Sequence, residues 1–356
     1  MALPVELTFL IDLLAFFGVY AIISLSLNIE FGYTGIPNFG KLLAVLGGAM
    51  FVGAIPGRIL AYAYGAMKND LDFARDNTLI MSIVNSVLAK DPAASITVLV
   101  LSLVLAAVGG AVLGLIAAYP AIRLKEDYLA ITLLAMAELL RTIGDNYEPL
   151  IGGTTGVALP DPFRWVGGEY RILAATAAIL AVAVLVFVYV EFISRSPLGR
   201  TLRAIRDDEV SAEAFGKDVV RFRMKALMAG SAIAAVGGAL MSFYSGFVTS
   251  MGFDRVTYTF WPWVMVVIGG AANNLGVVFG SFLFVFLRKI IIFYKDLFKP
   301  YIPFDVNWLV YLLLGLALII VLIYRPQGII PEKPTKTLRK REFKEILAHV
   351  SQEKEA

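Results

Sequence analysis

The chain has 356 residues and a net charge of +3; 59% of its residues are hydrophobic and only 17% are charged. Soluble proteins carry about 25% charged residues, so this composition predicts a membrane protein. There is no cysteine, and the single histidine, His349, lies in a charged tail. This excludes thiol catalysis, thiolate metal sites and a histidine-based site within the membrane. The modest net charge gives no indication of nucleic-acid binding.

Eight apolar runs are long enough to predict membrane spans, since a bilayer crossing needs roughly 18 to 20 residues. A ninth run, 260–272, is shorter and is followed by two asparagines. It predicts either a crossing or a half-span of the kind that is tolerated only inside protein or beside a wet cavity. The eight long runs are 7–27, 36–55, 96–119, 128–143, 172–193, 226–246, 275–293 and 308–324.

Positive charge is concentrated in two polar stretches, 195–225 and 325–354. The positive-inside rule places both in the cytoplasm, so an even number of crossings must separate them. The long runs between them supply three, and 260–272 is therefore predicted to cross as well. The expected fold is an all-α polytopic transmembrane bundle of nine or ten spans, within a range of eight to ten.

The chain is expected to form one transmembrane domain, 1–330, followed by a charged cytoplasmic tail, 331–356. A turn at 28–35 is expected inside and the loop 145–171 outside. Residues 56–95 are expected to form an extracytoplasmic insert. No Lys or Arg precedes Lys41, which favours a retained first span over a signal peptide.

The segment 194–223 is too polar to span a membrane, yet its apolar residues recur near helical spacing. Charged residues occupy the neighbouring faces, and Gly216 offers a helix stop. The spacing is typical of a cytoplasmic coupling helix and equally of a helix lying at the lipid headgroups. The apolar stripe consists of Leu198, Leu202, Ile205, Ala212 and Phe215.

The run SPLGRTLRAIRDDE, which begins at Ser196, resembles the coupling segment of the permeases of branched-chain amino acid ABC transporters, LivM type. Lys41 stands where many members of that family have histidine. The resemblance covers roughly residues 20–330. Its other landmarks follow in order: LN at 27–28, GYTG at 32–35, NFG at 38–40, LKEDYLAI at 124–131, ELLR at 138–141, GGTTG at 152–156, VVIGG at 266–270 and RPQG at 325–328.

The resemblance implies a subunit of an importer for amino acids, chiefly Leu, Ile and Val, in the cell membrane of a prokaryote. Its implied partners are a second permease, identical or different, two cytoplasmic ATPases, an extracytoplasmic solute-binding protein and membrane lipid. The chain contains no G-x-x-x-x-G-K-[ST] loop, so it has no phosphate cradle of its own. It is expected to be no enzyme and to bind no cofactor, with ATP and Mg²⁺ held by the ATPases.

The coupling segment is expected to dock into a groove on an ATPase, with the apolar stripe as anchor and the charged face for orientation. ATP-driven closure would then push the bundle as a rigid body. The residues expected to couple are Leu198, Gly199, Arg200, Leu202, Arg203, Ala204, Ile205, Arg206, Asp207, Glu213 and Gly216.

Polar groups cost free energy inside lipid, so those within spans are candidates for the solute path. Glu138 and Arg141 lie three residues apart on one helix and either pair with each other or meet the two charges of an amino acid. Lys41 is expected to be an anchor with its ammonium at the membrane surface, and Asp12 to be interfacial. The remaining candidates flank turns or broken helices and are Asn28, Asn38, Thr154, Thr155, Asn273 and Asn274.

Three other functions fit parts of the sequence. An ion-coupled secondary transporter would need several buried acidic groups, and Glu138 is nearly alone. An integral-membrane enzyme would need paired carboxylates within a span, and no such motif occurs. An ABC permease for amides or urea shares every feature above, because much of the discrimination is expected in the separate solute-binding protein.

Overall fold

The computed structural model describes residues 4–67, 71–124, 126–168, 170–295 and 306–332, and these fold almost entirely into helices. The α-helices are α1 Val5–Leu27, α2 Lys41–Ala54, α3 Pro56–Ala63, α4 Asn77–Leu88, α5 Pro92–Arg123, α6 Glu126–Asn146, α7 Glu148–Ile151, α8 Tyr170–Arg195, α9 Pro197–Asp207, α10 Glu209–Ala214, α11 Val219–Ser245, α12 Trp261–Gly269, α13 Asn274–Phe293 and α14 Val306–Tyr324.

Shorter elements connect these helices. Two π-helical segments, Asn28–Tyr33 and Val256–Phe260, continue α1 and lead into α12. The 3₁₀ turns are Arg164–Val166 and Ser250–Gly252. Strands β1, Val157–Ala158, and β2, Phe247–Val248, pair antiparallel with Val157 opposite Val248. The predicted turn at 28–35 is therefore wrong over residues 28–33, which stay helical.

Six helical stretches among the described residues are long and apolar enough to cross a membrane: Val5–Tyr33, Lys41–Ala63, Pro92–Pro120, Tyr170–Arg195, Val219–Ser245 and Asn274–Phe293. Helices α12 and α14 are shorter, and α6 carries several charges. The all-α membrane bundle predicted from the sequence is confirmed.

The stretches centred on α1, α2 and α11 are mostly buried, whereas those of α5 and α8 are mostly exposed. Exposed valines, leucines and isoleucines cover α5 and α8, among them Val104 and Leu185. Such apolar surface suits contact with lipid tails or with another apolar subunit. The interior of the bundle is therefore built from the first, second and eleventh helices.

Small residues allow α2, α5 and α11 to approach closely. A Cβ atom added at Gly48 would meet the backbone of Ala235, and one at Gly238 would meet the backbone of Val45. Gly110 of α5 faces the backbone carbonyl of Ser231 in the same way. Small residues of α11 thus form the contact surface for two neighbouring helices.

Contacts at the ends of the helices define two faces of the bundle. At one, which we call the coupling face, Arg203 and Arg206 of α9 pair with Glu332 of the C-terminal segment. At the other, Asn77 and Asn85 of the insert accept hydrogen bonds from the backbone of residues 158 and 161. The stretch 195–225 and the described beginning of the second charged stretch, residues 325–332, thus share one face. Within the predicted tail, residues 333–356 lie outside the described residues.

The segment 250–270 runs from one face to the other. It begins where Ser250 lies beside Gly144 and ends at Gly270, which contacts the backbone of Ile330 at the coupling face. With α11, α13 and α14, four elements therefore separate α10 from the C-terminal segment. The predicted crossing by 260–272 agrees with this path.

The close contact between α2 and α11 makes a prediction about stability. Gly238→Val should destabilise the fold by about 1 to 3 kcal/mol or more, because the added atoms collide with backbone rather than with a movable side chain. The matched control is Gly315→Val on α14, where an added Cβ meets nothing within 4 Å. Thermal denaturation in detergent, followed by size-exclusion chromatography, measures both. Equal melting temperatures for the two variants would contradict the packing described.

Candidate functional site at the coupling face

Local sequence signals explain why the coupling segment forms two short helices. Ser196 caps α9 and Pro197 occupies its first turn. Asp208 has extended backbone and caps α10 through the backbone N–H of Ser211 at 3.1 Å. That bond and a second from the Ser211 hydroxyl hold the pKa of Asp208 below its usual value. Gly216, with φ +75°, ends the segment as predicted.

The predicted apolar stripe faces the protein's own bundle. Leu202 and Ile205 are 2% and 1% exposed, and Ala212 is buried beside Val219. Phe215, in contrast, is 84% exposed. Anchoring in an ATPase groove by Leu202, Ile205 and Ala212 is therefore wrong, because these side chains already fasten α9 and α10 beneath the bundle.

The outer surface of the segment is a mixed patch that we call the exposed patch. Two large apolar side chains, Val210 and Phe215, are 76% and 84% exposed. Exposed polar and small residues also occur along both α9 and α10. Of the predicted coupling residues, Leu198 and Gly199 lie inward, whereas the exposed ones are Arg200, Ala204, Asp207, Glu213 and Gly216.

Arg203 and Arg206 bind within the molecule. Both contact Glu332 at 3.0 Å, and the Arg203 guanidinium lies 5.0 Å from the centre of the Tyr33 ring. Arg206 also donates to the carbonyl of Gly32 at 2.7 Å. These contacts join α9 to the π-helical end of α1 and to the C-terminal segment.

Asn274 is the centre of a polar cluster just above α9. Its Oδ1 accepts hydrogen bonds from Asn28 Nδ2 and Tyr33 Oη, both at 2.9 Å. Its Nδ2 donates to Glu191 Oε2 at 2.7 Å. Asn28 Oδ1 accepts from the backbone N–H of Ala272 at 2.8 Å. The cluster therefore binds α1, α8 and the start of α13 together, and it borders an open polar cavity of about 490 Å³.

Asn273 supports the same region from the other side. It caps α13 through the N–H of Gly276 at 3.1 Å and donates to the carbonyl of Pro331 at 2.9 Å. Three of the predicted solute-path residues, Asn28, Asn273 and Asn274, are thus neighbours at the coupling face. Their side chains are engaged in joining helices.

Asn38 belongs to a second, fully buried cluster with Glu30 and Lys41. Glu30 Oε2 accepts from Lys41 Nζ and from Asn38 Nδ2, both at 2.8 Å. Glu30 and Lys41 are each 0% exposed. The predicted surface anchor at Lys41 is therefore wrong, because its ammonium points into the bundle. A buried ammonium needs an opposite charge, and Glu30 provides it.

The sequence reasoning missed Glu30 because residues 28–35 were interpreted as a turn. The signal was present, since an acidic residue directly follows a long apolar run and the first basic residue of the chain is eleven positions later. A buried pair of opposite charges is the simplest way to hold both inside a bundle. Asp12, whose side chain is partly exposed, also has an opposite charge as partner, since it pairs with Lys289 and accepts from Tyr244 at 2.9 Å.

Glu138 and Arg141 pair with each other at 3.7 Å, which is the first of the two alternatives that their spacing allows. Arg255 extends it, with its guanidinium 3.9 Å from Glu138. All three side chains are partly or fully exposed on the flank of α6. Thr154 and Thr155 lie at the opposite end of the molecule, exposed in an outer turn. The predicted path residues are therefore distributed over separate places. No metal-binding group of His, Cys, Asp and Glu occurs among the described residues.

The family model described as the branched-chain amino acid transport system permease component matches residues 9–322. The chain belongs to this family. It is 42% identical to the probable branched-chain amino acid transport permease LivM of Methanocaldococcus jannaschii, over 91% of this chain and 94% of that protein. It is 26% identical to the high-affinity LivM permease of Escherichia coli, over 90% and 70% of the two chains.

A different permease of Escherichia coli, LivH, is also similar. It is 27% identical over 46% of this chain and 54% of LivH. Two distinct branched-chain amino acid permeases of a single organism therefore resemble this permease. The match to the family model, residues 9–322, includes the coupling segment and both polar clusters.

The Asn274 cluster makes a prediction. Asn274→Leu leaves Asn28, Tyr33 and Glu191 each without one partner, at about 1 to 3 kcal/mol for each buried group left unsatisfied. The thermal stability of the detergent-purified permease should fall clearly below that of Asn146→Leu, whose side chain is exposed at the end of α6. Similar stability for the two variants would show that the cluster is replaceable.

Proposed function

We propose that this permease moves branched-chain amino acids into the cell as one transmembrane subunit of an ATP-binding-cassette importer. The observation that carries the proposal is the family match, which extends over residues 9–322. Two ATPases, which bind ATP and Mg²⁺, would supply the free energy, since the sequence has no phosphate-binding loop. A second permease and an extracytoplasmic solute-binding protein would complete the importer.

The coupling face would lie in the cytoplasm of a prokaryotic cell. The positive charge of 195–225 and the C-terminal segment that leads into the basic tail meet at this face. Excess Lys and Arg mark the cytoplasmic ends of spans. The predicted insert, 56–95, would then lie on the extracytoplasmic side, where a solute-binding protein delivers its cargo.

The exposed patch would be the ATPase docking surface. Val210 lies on the short helix α10 and Phe215 directly follows it, and both side chains are large, apolar and exposed. Apolar side chains of this kind act as anchors when a partner encloses them. Arg200, Asp207 and Glu213 would orient the partner by charge. Because Arg203 and Arg206 bind α1 and the C-terminal segment, a movement of the patch would be passed to the bundle.

The second permease would face the flank of α6, and the solute would pass between the two subunits. Glu138 and Arg141 present both signs of charge there, which suits the ammonium and carboxylate of a zwitterionic amino acid. The neighbouring Val256–Phe260 segment is π-helical, and irregular helices are typical of membrane elements that line a cavity.

The docking surface is tested by one charge placed on the patch. Phe215→Asp should lower the amount of ATPase that copurifies with the importer at least tenfold, because it puts a charge where an apolar anchor is expected. Leu79→Asp is the control, since Leu79 is similarly exposed on α4 at the opposite face. If Phe215→Asp retains as much ATPase as the control, the patch is not the docking surface.

The solute path is tested at Glu138. Glu138→Gln keeps the size of the side chain and removes its charge, so amino acid uptake should fall at least tenfold while ATPase copurification stays unchanged. Thr142→Val, one turn further along the same helix, should transport normally. Unchanged uptake in Glu138→Gln would remove this residue from the path.

A further inference from the structure

A continuous series of contacts leads from the coupling segment to the buried ion pair. Arg206 of α9 donates to the carbonyl of Gly32. Gly32 lies two residues beyond Glu30 in the same π-helical segment. Glu30 in turn accepts from Lys41, which is the first residue of α2. A displacement of α9 therefore has a direct route to the beginning of α2.

The ion pair is costly to keep where it lies. Both side chains are 0% exposed, and removing two charges from water costs several kcal/mol per ion before their attraction is counted. Glu30 Oε1 has no hydrogen-bond partner. Well-packed apolar residues of similar volume would fold at least as well, so packing alone gives no reason for a pair of charges here.

The neighbouring helix leaves space for the carboxylate. A Cβ atom added at Gly230 of α11 would collide with the carboxyl group of Glu30. The backbone of α11 therefore lies directly against the acid, and this face of the pair is rigid. Glu30 therefore cannot move toward α11.

The π-helical segment provides a way for Glu30 to move. A π turn contains one residue more than an α turn, and such turns are frequent at functional sites. An α-helix turns by about 100° per residue, so a change of Asn28–Tyr33 toward α-helix would alter the direction of the Glu30 side chain, which lies inside this segment, relative to the start of α2. Such a change would separate Glu30 from Lys41 and open the ion pair.

The start of α2 is also attached to the helices beside the solute path. Leu42 N–H donates to Thr259 Oγ1 at 3.0 Å, and Trp263 Nε1 donates to the carbonyl of Asn38 at 3.1 Å. Gly40 lies against the backbone of Leu133 in α6, the helix that carries Glu138. A displacement of the start of α2 would therefore be transmitted to α6 and α12 through these contacts.

We propose that the Glu30–Lys41 ion pair is the positioning element that couples ATP hydrolysis to solute movement. The inference rests on the proposed function, since it assumes that the ATPases move α9. In the conformation described, the pair is closed and holds the start of α2. A pull on Gly32 by Arg206 opens the pair, and the movement of α2 then alters the passage beside α6.

The experiment uses the whole importer, reconstituted in vesicles of phosphatidylethanolamine and phosphatidylglycerol, and measures both ATP hydrolysis and leucine uptake. The double variant Glu30→Gln/Lys41→Met removes both charges and leaves no unpaired ion. It should assemble and hydrolyse ATP as the unmodified importer does, while uptake per ATP falls at least tenfold. The control is Asp12→Asn/Lys289→Met, which removes the ion pair between α1 and α13. This variant should couple ATP hydrolysis to uptake normally.

A milder variant keeps the test decisive if the double variant fails to assemble. Glu30→Asp retains the charge and withdraws it by one methylene, so ATP hydrolysis should persist while uptake per ATP falls. Normal uptake per ATP in either assembled variant would overturn the proposal and leave the pair a purely structural one. Absence of ATP-driven uptake in the unmodified importer would instead refute the proposed function.

Discussion

Every polar group inside an apolar bundle must find its partner within the protein, and this constraint determines how the helices are joined. The Glu30–Lys41 pair fixes the end of the first helix to the beginning of the second. The Asn274 cluster fixes the same helix end to α8 and α13. Lipid tails offer no competing partners, so these few contacts set the relative positions of helices whose remaining surfaces are apolar and less specific.

The coupling segment divides its residues between two tasks. Its buried side chains, Leu202 and Ile205, attach it to the bundle, and the partly exposed guanidinium of Arg206 binds Gly32 and Glu332. Its exposed residues remain for a partner. A segment that is both firmly attached on one side and exposed on the other can transmit a push as a rigid body. The attachment leads to the π-helical end of α1, where the buried charges lie.

Much of the fold follows from the sequence, because long apolar runs and helix stops are local signals. The stop at Gly216 follows from the local sequence, and the ion pair of Glu138 and Arg141 is one of the two alternatives that their spacing allows. The crossing by 260–272 is a prediction from charge parity. The wrong predictions concern which surface packs against a given side chain. Periodicity identifies the apolar stripe that includes Leu202, but it does not show that this stripe packs against the protein's own bundle. Lys41 was misplaced because its partner, Glu30, lies on a different helical element.

The central claim is that this permease transports only as part of an ATP-driven importer, and uptake in reconstituted vesicles tests it most directly. Vesicles that contain both permeases and the ATPases, supplied with the solute-binding protein and ATP, should accumulate radiolabelled leucine. Omission of ATP or of the ATPases should abolish accumulation. Leucine accumulation by vesicles that contain this chain alone, driven by a sodium or proton gradient, would contradict the account.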